Sequence, residues 1–152
     1  MKTSEDLETL RRRLRSGNLP DELLRPGREV ALRGNDRTLT RDQILAEAGE
    51  VAGGLSRLGV RPGDRVGVYA ANSFDWVLAY LGSLRAGGCV VPMNPAYRSA
   101  EAEHIISNSD PSLVIADIER IGRRDQRVAM DHESRRQITL PELRAVERIH
   151  AQ

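Results

Sequence analysis

Residues 58–66 read LGVRPGDRV, and they join the best-patterned helix of the chain to a strand. Gly59 is placed to end the helix in a left-handed conformation, with Val60 positioned for the hydrophobic contact that accompanies such an end. The pair at residues 62–63, Pro-Gly, is typical of a tight turn. Residues 65–70 then carry spaced valines and predict a strand. The stretch therefore predicts a helix–turn–strand junction.

The helix before this junction is predicted from Thr40 to Leu58. Thr40 and Gln43 have the spacing of a capping box, in which each side chain bonds to the backbone of the other residue. Apolar side chains then repeat at intervals of three and four residues and predict one buried face, formed by Ile44, Ala48, Val51, Leu55 and Leu58. Upstream, residues 29–33 and 37–39 predict two short strands around a hairpin turn.

A second helix and two strands are predicted after the junction. Asn72-Ser73 is interpreted as a helix cap, and the helix ends at Gly87-Gly88, with an expected apolar stripe of Trp76, Val77, Tyr80, Leu81 and Leu84. Residues 89–91 are all apolar, which is typical of a strand covered on both faces. Ser99 is expected to cap a helix to about residue 107, and residues 113–116 predict another strand. This alternation predicts parallel pairing and the α/β class.

Three segments are expected along the chain. Residues 1–28 are interpreted as an N-terminal helix and connector, in which Ser4 is the cap and Leu7, Leu10 and Leu14 form a narrow apolar stripe. Its arginines are interpreted as a solvated helix end rather than a site for an anionic partner. Residues 29–117 form the predicted α/β unit. Residues 118–152 are a charged tail, with a candidate strand at 125–130 and a capping box at 139–142.

Composition excludes several classes of protein. The 152 residues carry a formal net charge of +1, which gives no reason to expect nucleic acid as a partner. No apolar run approaches the length of a membrane-spanning helix, and a single cysteine excludes an internal disulfide framework. These observations predict a cytoplasmic protein. Lys2 is the only lysine among 23 Lys and Arg residues. Any mechanism that needs a lysine amine would therefore have to use Lys2.

For each candidate functional residue, a structural role is preferred to a functional one. His104, His132 and His150 lie far apart without further ligands at metal-binding spacing, so no metal site is expected. Cys89 is expected to be a buried small apolar residue. Trp76 and Tyr80 fit a core position better than a pocket wall. No phosphate-binding glycine motif is present, and the glycines at 53–54, 59, 63, 67, 82 and 87–88 are assigned to helix ends, turns and close packing.

Three strings occur in a specific order, and together they resemble one family. They are residues 58–66 (LGVRPGDRV), then Asn72-Ser73, then residues 86–95 (AGGCVVPMNP). In this order they resemble the opening segment of the AMP-forming acyl-CoA synthetases, the adenylate-forming ligases. The resemblance implies a partial parallel-sheet subdomain with flanking helices, taken from the large N-terminal domain of such a ligase.

The resemblance also implies what the chain lacks. Complete members of the family use ATP, Mg²⁺ and coenzyme A to convert a carboxylate to an acyl-adenylate and then to a thioester. Their phosphate loop and its lysine would follow this region, and none of their catalytic, cofactor-binding or metal-binding residues can be placed on residues 1–152. We therefore expect no bound cofactor and no ligase activity for the chain alone.

Three interpretations of the chain remain open. The first is a truncated N-terminal portion of an acyl-CoA ligase, which would expose apolar surface and form homo-oligomers or aggregates. The second is the scaffold chain of a split ligase, in which another chain supplies the missing portion. The third is a non-catalytic binding module, for which the tail from Ile118 onward would have to close the sheet edge.

Overall fold

The computed structural model describes residues 8, 9, 12, 19–35, 37–117 and 136–138, and it confirms the α/β class. Its helices are α1 (Leu19–Leu23), α2 (Arg41–Arg57), α3 (Phe74–Arg85) and α4 (Ser99–Ser109). Its strands are β1 (Val30–Arg33), β2 (Thr38–Thr40), β3 (Arg65–Tyr69), β4 (Cys89–Met93), β5 (Leu113–Ala116) and β6 (Arg136–Ile138). None of the described helices is long and apolar enough to cross a membrane.

The main sheet has four parallel strands in the order β4-β3-β5-β6. Val68 at the centre of β3 pairs with Pro92 of β4 on one side and with Ile115 of β5 on the other. The chain therefore passes from β3 to the neighbouring β4 and then crosses back past β3 to β5. The predicted hairpin is confirmed as a separate antiparallel pair, β1 with β2.

The two sides of the sheet bury different helices. Val66 and Val68 of β3 face a core cluster that also contains Leu55 of α2 and Leu78 of α3. Tyr69, at the end of the same strand, belongs to the opposite cluster with residues of α4. This is the result expected when two successive crossovers of the same hand run in opposite directions along a sheet.

The junction at residues 58–66 forms as predicted. Helix α2 ends at Arg57 with Leu58 as its C-cap, the next residue Gly59 has a left-handed φ of 92°, and the Val60 N–H donates to the Leu55 carbonyl at 3.0 Å. This pair of features is the Schellman motif. Gly63 also has a φ of 92°, and the Asp64 N–H donates to the Arg61 carbonyl at 3.0 Å, which closes the tight turn.

Gly87, which follows the C-cap of α3, is expected to tolerate alanine less well than Gly59. Both residues have a positive φ, but a Cβ at Gly59 meets open space, whereas one at Gly87 lies 3.0 Å from the Pro62 Cβ. We expect Gly59→Ala to lower the free energy of unfolding by about 1 kcal/mol through backbone strain, and Gly87→Ala by about 2 kcal/mol through strain and crowding. Urea denaturation of the two variants measures both. Equal losses would contradict the contact between Gly87 and Pro62.

Ion pairs hold the hairpin against α2. Arg41 lies 2.8 Å from the Glu29 carboxylate, and Arg37 lies 3.1 Å from that of Glu47. The pKa of Glu29 is held below its usual value by a backbone hydrogen bond and by the Arg41 guanidinium. Because Glu29 is exposed and the other three side chains are still partly open to solvent, the pairs position the hairpin more than they stabilise the fold.

The apolar stripe predicted on α3 is not the most buried face of this helix. Its side chains are only half-buried, although Trp76 and Leu81 pack against the core. The fully buried residues are Leu78, Ala79, Gly82 and Ser83. Because three of these four residues are small, α3 can lie close to α2 and the sheet. Apolar periodicity in the sequence follows large side chains, so it did not identify this face.

Strand β4 and the start of α4 also differ from the prediction. Cys89 is exposed rather than buried, and Val90 and Val91 are half-buried, because β4 is the edge strand of the described sheet. Ser99 is the first residue of α4 and not its cap. The N-cap is Arg98, whose backbone N–H donates to the Glu101 carboxylate at 2.8 Å.

The two ends of the chain are described only in part. Residues 8, 9 and 12 are helical, in agreement with the predicted N-terminal helix, whose remaining residues lie outside the described ranges. The candidate strand at 125–130 and the capping box at 139–142 also lie outside them. Strand β6, which pairs in parallel with β5, was not predicted.

Candidate functional site

The strand order identifies one crevice as the candidate site. After β3 the chain adds β4 on one side of β3, and it then adds β5 and β6 on the other side. The direction in which strands are added therefore reverses at β3. Ligands of open parallel sheets bind at the carboxyl ends of the strands where the order reverses in this way. The corresponding place here is the crevice between the ends of β3 and β5.

Polar groups from both strands meet at this crevice. The Ala71 N–H, just after β3, donates to the Asp117 carboxylate, just after β5, at 2.9 Å. Asn72 is exposed beside this contact. Ser73 is confirmed as the cap of α3, because its hydroxyl oxygen accepts the Trp76 N–H at 3.1 Å. The crevice thus contains a carboxylate, which accepts a backbone hydrogen bond, and an exposed amide, which can both accept and donate hydrogen bonds.

The loop after β4 lies at the same end of the sheet and is held by its own hydrogen bonds. The Asn94 side-chain oxygen accepts the Ala96 N–H at 2.9 Å, and the Asn94 carbonyl accepts the Tyr97 N–H at 3.0 Å. The buried Tyr69 hydroxyl, reaching from the end of β3, donates to the Tyr97 carbonyl at 2.8 Å. The carboxyl ends of β3 and β4 are therefore tied to each other.

No metal centre is evident in the described part of the chain. No group of three or more His, Cys, Asp or Glu side chains there is arranged to hold an ion. His104 lies exposed on α4, and Cys89 is at the opposite end of β4 from the crevice. His132 and His150 lie outside the described residues.

A second concave surface lies away from the sheet edge, on the outer side of α3. This groove has a volume of about 450 Å³ and is lined almost entirely by apolar atoms, from Leu19, Pro20, Leu24, Ala31, Leu32, Ile44, Val77, Tyr80, Leu81 and Leu84. Tyr80 stacks on Trp76, with ring centroids 5.3 Å apart. The expectation that Trp76 and Tyr80 belong to the core is therefore wrong for Tyr80, which forms a wall of the groove.

Comparison with known proteins assigns the family. The family model described as AMP-binding enzyme matches residues 21–150. The chain belongs to this family. The resemblance expected from the three sequence strings is thereby confirmed.

Curated relatives in the family include both synthetases and ligases. Syringomycin synthase SyrB1 of Pseudomonas syringae pv. syringae is 43% identical over 81 residues, which are 53% of this chain and 13% of the relative. The mitochondrial medium-chain acyl-CoA ligase ACSF2 of Mus musculus is 42% identical over 64 residues, which are 42% of this chain and 10% of the relative. The matched part is thus a small fraction of the relatives' own length.

Solved structures of the family share the fold. ATP-bound MatB from Rhodopseudomonas palustris superposes with a TM-score of 0.72 and 25% identity, over 84% of this chain and 27% of MatB. The anthranilate CoA ligase AuaEII, in complex with anthranoyl-AMP, superposes with a TM-score of 0.64 and 31% identity, over 68% of this chain and 21% of the ligase. The described α/β unit is therefore the fold of part of an adenylate-forming ligase.

Sequence reasoning missed Asp117 as a candidate site residue. It lies where the all-apolar strand β5 ends, which is the position at which parallel sheets present polar groups to ligands. The signal was present in the sequence as an acidic residue directly after four buried apolar residues. Recognising its partner, the Ala71 N–H, required the pairing of β3 with β5.

Proposed function

We propose that this chain is the N-terminal scaffold of an adenylate-forming ligase and does not form acyl-adenylates by itself. The observation that carries the proposal is the family match over residues 21–150 to a fold that accounts for only about a quarter of a ligase such as MatB. In this role the crevice between β3 and β5 forms part of the wall of a larger active site.

The chemistry of adenylation supports the inactivity of the isolated chain. Attack of a carboxylate on the α-phosphate of ATP, with release of pyrophosphate, needs positioned cationic groups and Mg²⁺ to stabilise the developing charge. Lys2 is the only lysine of this chain, and it lies outside the family match. The polar groups at the crevice, Asp117 and Asn72, cannot supply a positive charge.

Within the family, we propose an origin among the ligases that join carboxylic acids to coenzyme A in the cytoplasm, including those of fatty acid metabolism. ACSF2 and AuaEII are coenzyme A ligases by name, which supports the class of reaction but not the compartment, since ACSF2 is mitochondrial. SyrB1 is a synthase, so the class of acid must be tested with several substrates.

A second candidate function is the scaffold of a split ligase, and the sheet edges define where its partner would bind. In β4 the Cys89 N–H donates to the carbonyl of Asp64, just before β3. The backbone groups of every second residue from Cys89 therefore point toward β3, and those of the residues between them point to the open edge of the sheet. Pro92 is one of the residues at the open edge. Proline has no N–H to donate to a further strand. Extension of the sheet is therefore disfavoured beyond β4, and we place the partner on the β6 side.

An activity assay tests the proposal directly. The purified chain, with Mg-ATP, coenzyme A and a panel of fatty, aryl and amino acids, is expected to release no pyrophosphate above the enzyme-free blank. Full-length MatB from Rhodopseudomonas palustris with its own substrate serves as the positive control. Acid-dependent pyrophosphate release by the 152-residue chain would contradict the proposal.

A further inference from the structure

Phe74, the first residue of α3, contacts the β1–β2 hairpin. Its ring packs against the backbone of Gly34, so closely that a Cβ at Gly34 would overlap the edge of the ring. Gly34 begins the turn of the hairpin, where its N–H donates to the Arg37 carbonyl at 2.9 Å. Phe74 also directly follows Asn72 and Ser73, the polar residues at the start of α3 beside the crevice. One side chain therefore links the hairpin turn to the edge of the candidate site.

Arg37 contacts the same ring and is itself held by α2. Its guanidinium carbon lies 4.8 Å from the centroid of the Phe74 ring, within the range of a cation–π interaction. The same guanidinium donates from one nitrogen to both oxygens of the half-buried Glu47 carboxylate, at 3.2 and 3.1 Å. A planar guanidinium can stack on a ring and pair with a carboxylate at the same time, whereas a lysine ammonium has no plane to stack. Arg37 thus joins the hairpin, α2 and α3.

The first turn of α3 depends on these contacts because its own hydrogen bonds are few. The Trp76 N–H donates to the Ser73 hydroxyl oxygen at 3.1 Å, and the Val77 N–H donates to the Ser73 carbonyl at 3.3 Å, beyond the usual range for a backbone bond. Helix ends fray, and tertiary packing supplies most of the stability of a helix in a protein. Phe74 is the side chain of this turn that packs against both the core and the hairpin.

We propose that Gly34, Arg37 and Glu47 form a latch that holds Phe74 and thereby positions residues 71–73 at the crevice. Arg37 is a positioning residue, since it acts on the crevice through Phe74 and the first turn of α3. Displacement of Arg37 from the ring loosens that turn, so the hairpin controls how firmly the edge of the crevice is held. The latch is independent of the proposed ligase origin, because it concerns the α/β unit whether or not the chain takes part in adenylation.

Amide hydrogen exchange of the full chain, followed for single residues by nuclear magnetic resonance, tests the latch. Arg37→Ala is expected to raise the exchange rate of the Trp76 N–H about two- to fivefold, which is the contribution of a cation–π contact at an exposed site. The Ala86 N–H, which donates to the Gly82 carbonyl at 2.9 Å at the other end of α3, is expected to keep the parent's rate. An unchanged rate at Trp76, or an equal rise at both amides, would overturn the proposal.

Arg41→Ala is the matched control, because it makes the same change in an ion pair of the same kind. Arg41 pairs with Glu29 at 2.8 Å, at the end of the hairpin opposite the Gly34 turn, so its loss is expected to leave the Trp76 exchange rate unchanged. Arg37→Lys keeps the charge beside Glu47 but loses the stacking, and its rate is expected to lie closer to that of Arg37→Ala than to that of the parent. Full rescue by lysine, or an equal effect of Arg41→Ala, would contradict the latch.

A double-mutant cycle decides whether Arg37 acts through Phe74. Phe74→Leu keeps an apolar side chain at the start of α3 but removes the aromatic face that Arg37 contacts. In this background, Arg37→Ala is expected to leave the Trp76 exchange rate where Phe74→Leu alone has put it, because the two side chains share one interaction. If Arg37→Ala raised the rate by the same factor in both backgrounds, Arg37 would act by another route and the proposal would be overturned.

Discussion

Replacing Gly82 by alanine is expected to lower the free energy of unfolding by about 3 kcal/mol. Gly82 lies on α3 where this helix crosses α2, and a Cβ there would overlap the side chain of Val51 and lie 3.0 Å from the Ala48 carbonyl oxygen. Val51 is fully buried, so it has no free space into which to move. The helices must separate, which also loosens the core on that side of the sheet.

Gly49→Ala is the matched control, because it makes the same chemical change in the partner helix. A Cβ at Gly49 meets only the tip of the Arg85 side chain, at 3.0 Å, and that side chain is long enough to adjust. The greater helix propensity of alanine, about 1 kcal/mol, should then leave this variant as stable as the parent or more stable. Urea denaturation followed by circular dichroism measures both. A Gly82→Ala variant as stable as Gly49→Ala would contradict the close crossing of the two helices.

Local chemistry made part of this fold predictable. The junction at residues 58–66 forms as expected because each step depends on a neighbour in sequence: the glycine at the helix end, the Pro-Gly turn and the valines of β3. The capping box of α2 is equally local, and the Thr40 N–H does donate to the Gln43 side chain at 2.9 Å. Interactions of this kind are set by short-range backbone and side-chain geometry.

The wrong predictions concern tertiary contacts. Cys89 and its neighbours were expected to be covered on both faces because they are apolar, but exposure depends on whether β4 has one neighbouring strand or two. Likewise β6, with the sequence Arg136-Gln137-Ile138, has almost no apolar pattern of its own and is a strand because it pairs with β5. Strand propensity depends on such context more than helix propensity does.

The candidate site was less predictable than the fold, for the same reason. Asp117 and Ala71 are separated by 46 residues, and only the parallel pairing of β3 with β5 brings the carboxylate to the backbone N–H. One of the sequence strings that resemble the family is Asn72-Ser73, which lies beside this contact. Ser73 itself caps a helix. Family resemblance therefore located the neighbourhood of the crevice without naming its acidic group.

The face that α3 buries can be decided by a second pair of substitutions. Apolar periodicity predicted Leu81 on the buried side, whereas the structure has Leu78 fully buried against Val66 and Val68 of β3 and places Leu81 in the groove. Leu78→Ala is expected to lower the free energy of unfolding by about 3–4 kcal/mol, because the cavity it leaves is enclosed by the core. Leu81→Ala should cost about 1–2 kcal/mol, because its side chain is only partly buried.

The comparison of these two leucines controls for the residue type, the helix and the number of atoms removed. Denaturant midpoints and slopes for both variants give the two free energies, provided the slopes stay equal to that of the parent. A larger loss for Leu81→Ala would mean that α3 is rotated and buries the face with Tyr80. The groove would then have other walls than those described above. A larger loss for Leu78→Ala would show that α3 buries Leu78 against the sheet and leaves Leu81 in the groove, as the α2–α3 crossing requires.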